Sequence, residues 1–222
     1  MERIKNKHYD MVKKLAKSGE VIIETTPPSL AHLVHMALGL VGETIEVKNA
    51  YEYPEDGHKV DYETALMYEL GDVMFYTVGV MQHFYIVHDD PLDEDSSTHV
   101  QKLINSLKEE QEVVGCRTAM LAPSKLVSLG GEVSELIKKR WIYGKLIDLR
   151  HMEKLIAQII YLVSLIASDT DPDVINLDLE YSLTKVLEMN YEKLSQRYSS
   201  FTYSNEQAIA RAETNQPDQT AG

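Results

Sequence analysis

Apolar residues recur at steps of three and four through almost the whole 222-residue chain, and no stretch alternates long enough to make a half-buried strand. The pattern predicts an all-α protein, with helices near 5–18, 29–51, 61–87, 99–114, 124–142, 150–168 and 176–198. Pro27, Pro28 and Ser29 read as a stop, a turn and an N-cap. The helix that follows carries Leu30, Leu33, Val34, Ala37, Leu38, Val41, Ile45 and Val47 as its apolar side, and Tyr53-Pro54-Glu55-Asp56-Gly57 breaks it. The next carries Leu66, Leu70, Val73, Met74, Val78 and Met81. It ends at His88-Asp89-Asp90-Pro91, ahead of an acidic run, Asp93-Glu94-Asp95, that reads as a solvated linker. Gly115 and Pro123 mark a second break.

The halves match in order and in detail. Leu40-Val41-Gly42-Glu43-Thr44-Ile45-Glu46 aligns with Leu129-Gly130-Gly131-Glu132-Val133-Ser134-Glu135, and Leu70 to Phe75 pairs with Ile156 to Tyr161. Such self-similarity predicts a bundle of two packed copies of one helical hairpin, residues 1–97 and 98–211, with 212–222 as a disordered tail.

Charge narrows the chemistry. Residues 1–111 hold ten Lys and Arg against twenty Asp and Glu, and residues 112–222 hold twelve against fifteen. An acidic front half argues against nucleic acid as partner, because phosphate affinity comes from Lys and Arg. Two apolar stretches free of Lys, Arg, Asp and Glu, Val73 to Val87 and Leu155 to Ser168, are shorter than the roughly 18–20 residues of a membrane span and read as buried helices. No apolar run follows Met1 to Lys7, so no secretory signal is expected. A single cysteine, Cys116, permits no internal disulfide and fits a cytoplasmic location.

Glu43 and Glu46 stand three residues apart on one helix, and Glu69 and Asp72 repeat that spacing on the next. Residues at i and i+3 share a helix face, so each pair aims two carboxylates the same way. A short connection makes the helices antiparallel neighbours, and a shared seam would gather four acids. Like charges about 4 Å apart repel by a few kcal/mol at an effective dielectric near 20, so the group must take up protons or bind cations. Neither helix offers a Glu-x-x-His pair; oxygen-only ligands favour Mg²⁺ or Mn²⁺, which bring phosphate chemistry within reach. His35, Gly39 and Glu43 form one stripe that would lead a phosphate to the acids.

Glu43-Thr44-Ile45-Glu46 and Glu69-Leu70-Gly71-Asp72, with their flanks, resemble the signature of the MazG-like all-α nucleoside triphosphate pyrophosphohydrolases. Asn190-Tyr191-Glu192-Lys193-Leu194 with Arg197-Tyr198 is similar to a C-terminal segment of some members, and the resemblance spans most of 30–82 and 124–211. It implies hydrolysis of a nucleoside triphosphate to the monophosphate and pyrophosphate. On it, Glu43, Glu46, Glu69 and Asp72 would hold Mg²⁺, with Glu43 helping to deprotonate the attacking water. His35, Lys138, Asn190, Lys193 and Arg197 would bind substrate, Asn190 as a base-reading amide and the cations on phosphate. Leu155 and Gln158 replace the second acid pair in the second half, so one site per chain is expected. Trp141 and Tyr198 are expected to cover the core. The resemblance further implies a homodimer. A non-catalytic nucleotide sensor or partner-binding bundle is the competing expectation, motivated by the eroded half, and a phosphoribosyl-nucleotide pyrophosphohydrolase is a third.

Overall fold

The computed structural model describes residues 2–53, 61–87, 119–170, 178–198 and 204. Among them there is no strand. The elements are α1 (Glu2–Leu15), α2 (Gly19–Glu24), α3 (Pro28–Glu52), α4 (Tyr62–Val87), a 3-10 turn (Ala119–Leu121), α5 (Ala122–Tyr143), α6 (Leu149–Thr170) and α7 (Leu179–Arg197). The predicted helix at 99–114, the breaks at 54–57, 88–95 and Gly115, the boundary at 97/98 and the tail at 212–222 lie outside the described residues.

Local signals explain most boundaries. Asp178 accepts the Tyr181 amide at 3.0 Å, and Asp61 accepts the Thr64 amide at 2.9 Å ahead of α4. Each satisfies an N–H that a helix start leaves without an intrahelical partner. The Thr64 amide and hydroxyl hold the Asp61 carboxyl below its ordinary value. Gly144 ends α5 in the left-handed region at φ 65°, its amide donating back to the Arg140 carbonyl and the following Lys145 amide to the Lys139 carbonyl. Two starts differ from expectation. The first helix stops at Leu15 because Ser18 caps a separate helix, accepting the Val21 amide at 3.3 Å. Ser29 is not the cap of α3: Pro28 opens that helix, where its missing N–H costs nothing.

Helices α3 and α4 form one hairpin and α5 and α6 another. Helix α3 packs on α4 and α5, α6 packs on α4 and α5, and α7 lies against α4 and α6. Gly39 meets Tyr76 and Gly79 meets Met36, so α3 and α4 run antiparallel. One continuous set of buried apolar side chains runs from Leu33 to Val186, so both hairpins share a single core. Helix α6 is buried without a break from Leu155 to Ser168, as an apolar run enclosed by α4, α5 and α7 must be. Helices α3 and α6 are each long and apolar enough to cross a membrane; 83% of the α6 window is buried inside the bundle, and 33% of the α3 window.

The apolar side of α3 is narrower than its periodicity implied. Leu33, Met36, Ala37, Leu40, Thr44 and Val47 are buried, whereas Leu38 is 63% exposed and Ile45 43%. Thr44 belongs to the buried seam because its hydroxyl donates to the Val41 carbonyl at 2.9 Å and its methyl packs towards Gly130. Trp141 is partly buried; it donates to Thr26 Oγ1 at 2.7 Å and ties α5 to the entrance of α3.

Candidate metal centre

Glu43 faces α4 from the middle of α3, and Glu69 and Asp72 face back from α4. One carboxylate oxygen from each lies within 4.8 Å of the others, all three residues half-buried, a set that could hold a metal ion. Among the described residues it is the one such group of three or more His, Cys, Asp or Glu side chains. The helices converge there because they are packed closely along the seam: Leu40 and Val47 on α3 and Leu70 and Val73 on α4 are each 1% exposed or less.

Burial pushes the Glu43 carboxyl up to about 7, with the charges of Glu46, Asp72 and Glu69 adding to the rise and Lys193 opposing it. A carboxylate that resists ionisation at neutral pH for want of solvent and because of its neighbours is relieved by a cation. Glu46 departs from expectation. It is exposed and lies outside the converging trio, one turn along α3, though its charge is the largest of those acting on Glu43. The i+3 spacing puts it on the same broad face, but the trio needs only the residue turned most directly towards α4.

Helix α7 closes the group on the α4 side. Asn190 Nδ2 donates to Asp72 Oδ1 at 3.0 Å, and Lys193 Nζ pairs with Asp72 Oδ2. Lys193 also reaches the Tyr68 carbonyl at 3.4 Å and lies 5.3 Å from the centre of the Tyr68 ring. The Lys193 side chain is 11% exposed, so the pair is largely shielded from water. An ionised carboxylate has about four acceptor sites, so Asp72 keeps capacity for a cation after meeting both donors.

The remaining expected substrate residues are placed unevenly. Asn190, expected to read a base, is buried and gives its amide to Asp72. Arg197 lies one turn beyond Lys193 with its guanidinium over the Tyr198 ring, 5.1 Å from the centre. His35 is exposed two turns before Glu43, its ring edge-on to Tyr76. Lys138 is not brought to the acids: it is exposed on α5 and pairs with Glu135. The Gly130 backbone is at the level of Thr44, and Lys138 is eight residues further along α5, about 12 Å of helix rise. In the second hairpin, Glu132 contacts His151 Nε2 at 3.0 Å and Glu135 contacts Lys138 and Lys139, while Leu155 and Gln158 are buried. Among the described residues those acids meet the His151 ring and two lysines instead of forming a second trio.

Sequence reasoning assigned no role to Gly71 or Tyr68. A Cβ on Gly71 would fall 2.8 Å from Asn190 Cβ, so glycine is what lets α7 reach Asp72. Gly71→Ala should therefore destabilise the protein by about 1–3 kcal/mol through overpacking, despite the ~1 kcal/mol that alanine gains in a helix interior. Urea unfolding checks this; a rise in stability would show that α7 yields freely. The signal available in the chain was a helix-interior glycine between two acids. No family model, curated protein or solved structure matches the chain.

Proposed function

We propose that the protein is a Mg²⁺-dependent nucleoside triphosphate pyrophosphohydrolase of MazG-like type, built from two tandem hairpin repeats of which the first is active. The observation that carries this reading is the convergence of Glu43, Glu69 and Asp72 from two adjacent helices into one half-buried group. The donors are all carboxylate oxygens, the hard set that suits Mg²⁺ or Mn²⁺ rather than a softer metal. Bound there, the cation would offset triphosphate charge and acidify a water.

The chain's own residues do the rest. Glu43, on which burial and the neighbouring acids favour the proton, is the carboxylate placed to accept one from water during attack. As the water oxygen bonds to the α-phosphorus, the bond from that phosphorus to the bridging oxygen of the β-phosphate breaks; the proton passes to Glu43 and pyrophosphate leaves with the bond's electron pair. Asn190 and Lys193 hold Asp72 in one orientation, and the Lys193 ammonium adds positive charge beside the acids. Free nucleotides in the cytoplasm, rather than nucleic acid or membrane, and assembly as a homodimer complete the proposal.

A panel of nucleoside and deoxynucleoside triphosphates with Mg²⁺ tests it. Release of pyrophosphate and the matching monophosphate is expected, lost on adding a chelator. No release from any common, modified or signalling nucleotide would overturn the reading.

A further inference from the structure

One turn beyond the acids, along both helices, the surface changes from carboxylate to aromatic ring. Gly39 and His35 stand one and two turns before Glu43 on α3, and Tyr76 stands one turn after Asp72 on α4 with Phe75 beside it. Because the helices are antiparallel, these steps lead the same way and the rings meet. The Tyr76 ring lies across Gly39 so closely that a Cβ there would fall 2.1 Å from Cε1. Phe75 stands edge-on to Tyr76 at 5.3 Å and 88°, and His35 edge-on at 6.1 Å and 74°. Phe75 is 46% exposed, and His35 is exposed too, so ring surface remains in water beside the acidic group.

We infer that the His35–Tyr76–Phe75 cluster is the base-binding surface of the same site: the planar base of a nucleoside triphosphate stacks on Phe75 and His35 while its phosphates lie at Glu43, Glu69 and Asp72. The inference rests on the pyrophosphohydrolase reading for the phosphates and adds what the base touches. His35 lies eight residues from Glu43, about 12 Å along the helix, which puts it beyond the phosphate-bearing end and on the side a base would occupy. Tyr76, seated on Gly39, contacts both exposed rings. Stacking tolerates any base because every base has a π-face. This surface therefore selects triphosphates that carry a base over those that do not, with little choice among bases.

Inorganic tripolyphosphate, which has the phosphate chain and no base, separates the two ideas. Phe75→Ala should raise KM for nucleoside triphosphates about tenfold and leave tripolyphosphate cleavage unchanged, and Phe75→Trp should restore the nucleotide KM. The Phe75→Trp variant also reports without turnover. Titration with a non-hydrolysable nucleoside triphosphate analogue should quench its added indole fluorescence relative to wild type, whose single tryptophan is Trp141 on α5, and tripolyphosphate should not. An equal KM effect on both substrates, no effect on either, or no quench overturns the inference. A quench in Phe75→Trp beside wild-type protein that releases no pyrophosphate would leave the base surface standing and sink the hydrolase reading instead.

Discussion

On the proposed function, Glu43→Gln should cut turnover sharply and at the same time make the cation-free protein more stable at pH 8. A bound cation contributes several kcal/mol of transition-state charge stabilisation, and at about 1.4 kcal/mol per tenfold the loss of ligand and base together amounts to about a thousandfold in rate. The gain in stability follows from the raised pKa. Folded Glu43 titrates at about 7 against 4.5 for an unperturbed carboxyl, so the folded state holds its proton more tightly. That contribution is fully present below about pH 4.5 and is lost as pH rises through 7. At pH 8 the ionised group strains the fold, and glutamine removes the strain. Discounted for partial solvent screening, the relief is about 1 kcal/mol, or some 2–4 °C in melting temperature for a chain of this size. Below pH 5 the difference disappears. Thermal melts of both proteins at pH 5 and pH 8, run beside a pyrophosphate assay, read all of this. A variant that loses stability at pH 8 would mark Glu43 as structural.

Millimolar Mn²⁺ or Mg²⁺ should raise the melting temperature and release protons on binding. A ligand at a hundred times its Kd stabilises the folded state by about 2.7 kcal/mol, which here corresponds to about 5–10 °C. Ligation requires the deprotonated carboxylate, so near pH 6.5, where Glu43 is largely protonated in the free protein, binding expels up to one proton from it. Affinity therefore weakens as pH falls through 7. Calorimetry in two buffers of different ionisation enthalpy counts the protons, and Glu43→Gln should lose both the proton release and most of the thermal shift. An equal shift in wild type and variant would place the cation elsewhere.

The two acid pairs were legible because helical spacing is short-range: three residues bring side chains to one face whatever surrounds the helix. The same rule could not rank the four. Glu43 and Glu46 look equivalent in the chain, and only the rotation of α3 against α4, set by the seam of Leu33, Met36, Leu40, Thr44 and Val47, turns Glu43 inward and leaves Glu46 exposed. Leu38 and Ile45 were misplaced for the same reason, since periodicity identifies an apolar stripe but not how much of it a neighbour covers. Asn190 and Lys193 were singled out by their spacing. Their acceptor, Asp72, lies more than a hundred residues away, and no local pattern shows that.

The amino-acid sequence by itself determined that the chain is helical, that an apolar stretch such as 155–168 is buried, and that two acid pairs stand on successive helices, because all of these follow from repeats a few residues long. Tertiary packing alone decided that Glu43, Glu69 and Asp72 form the inner group, that α7 crosses at Gly71 to hold Asp72, and that Tyr76 lies on Gly39 beside it. Those outcomes depend on which helices meet and how closely. Distant glycines and buried side chains set that jointly, through contacts that no local window contains.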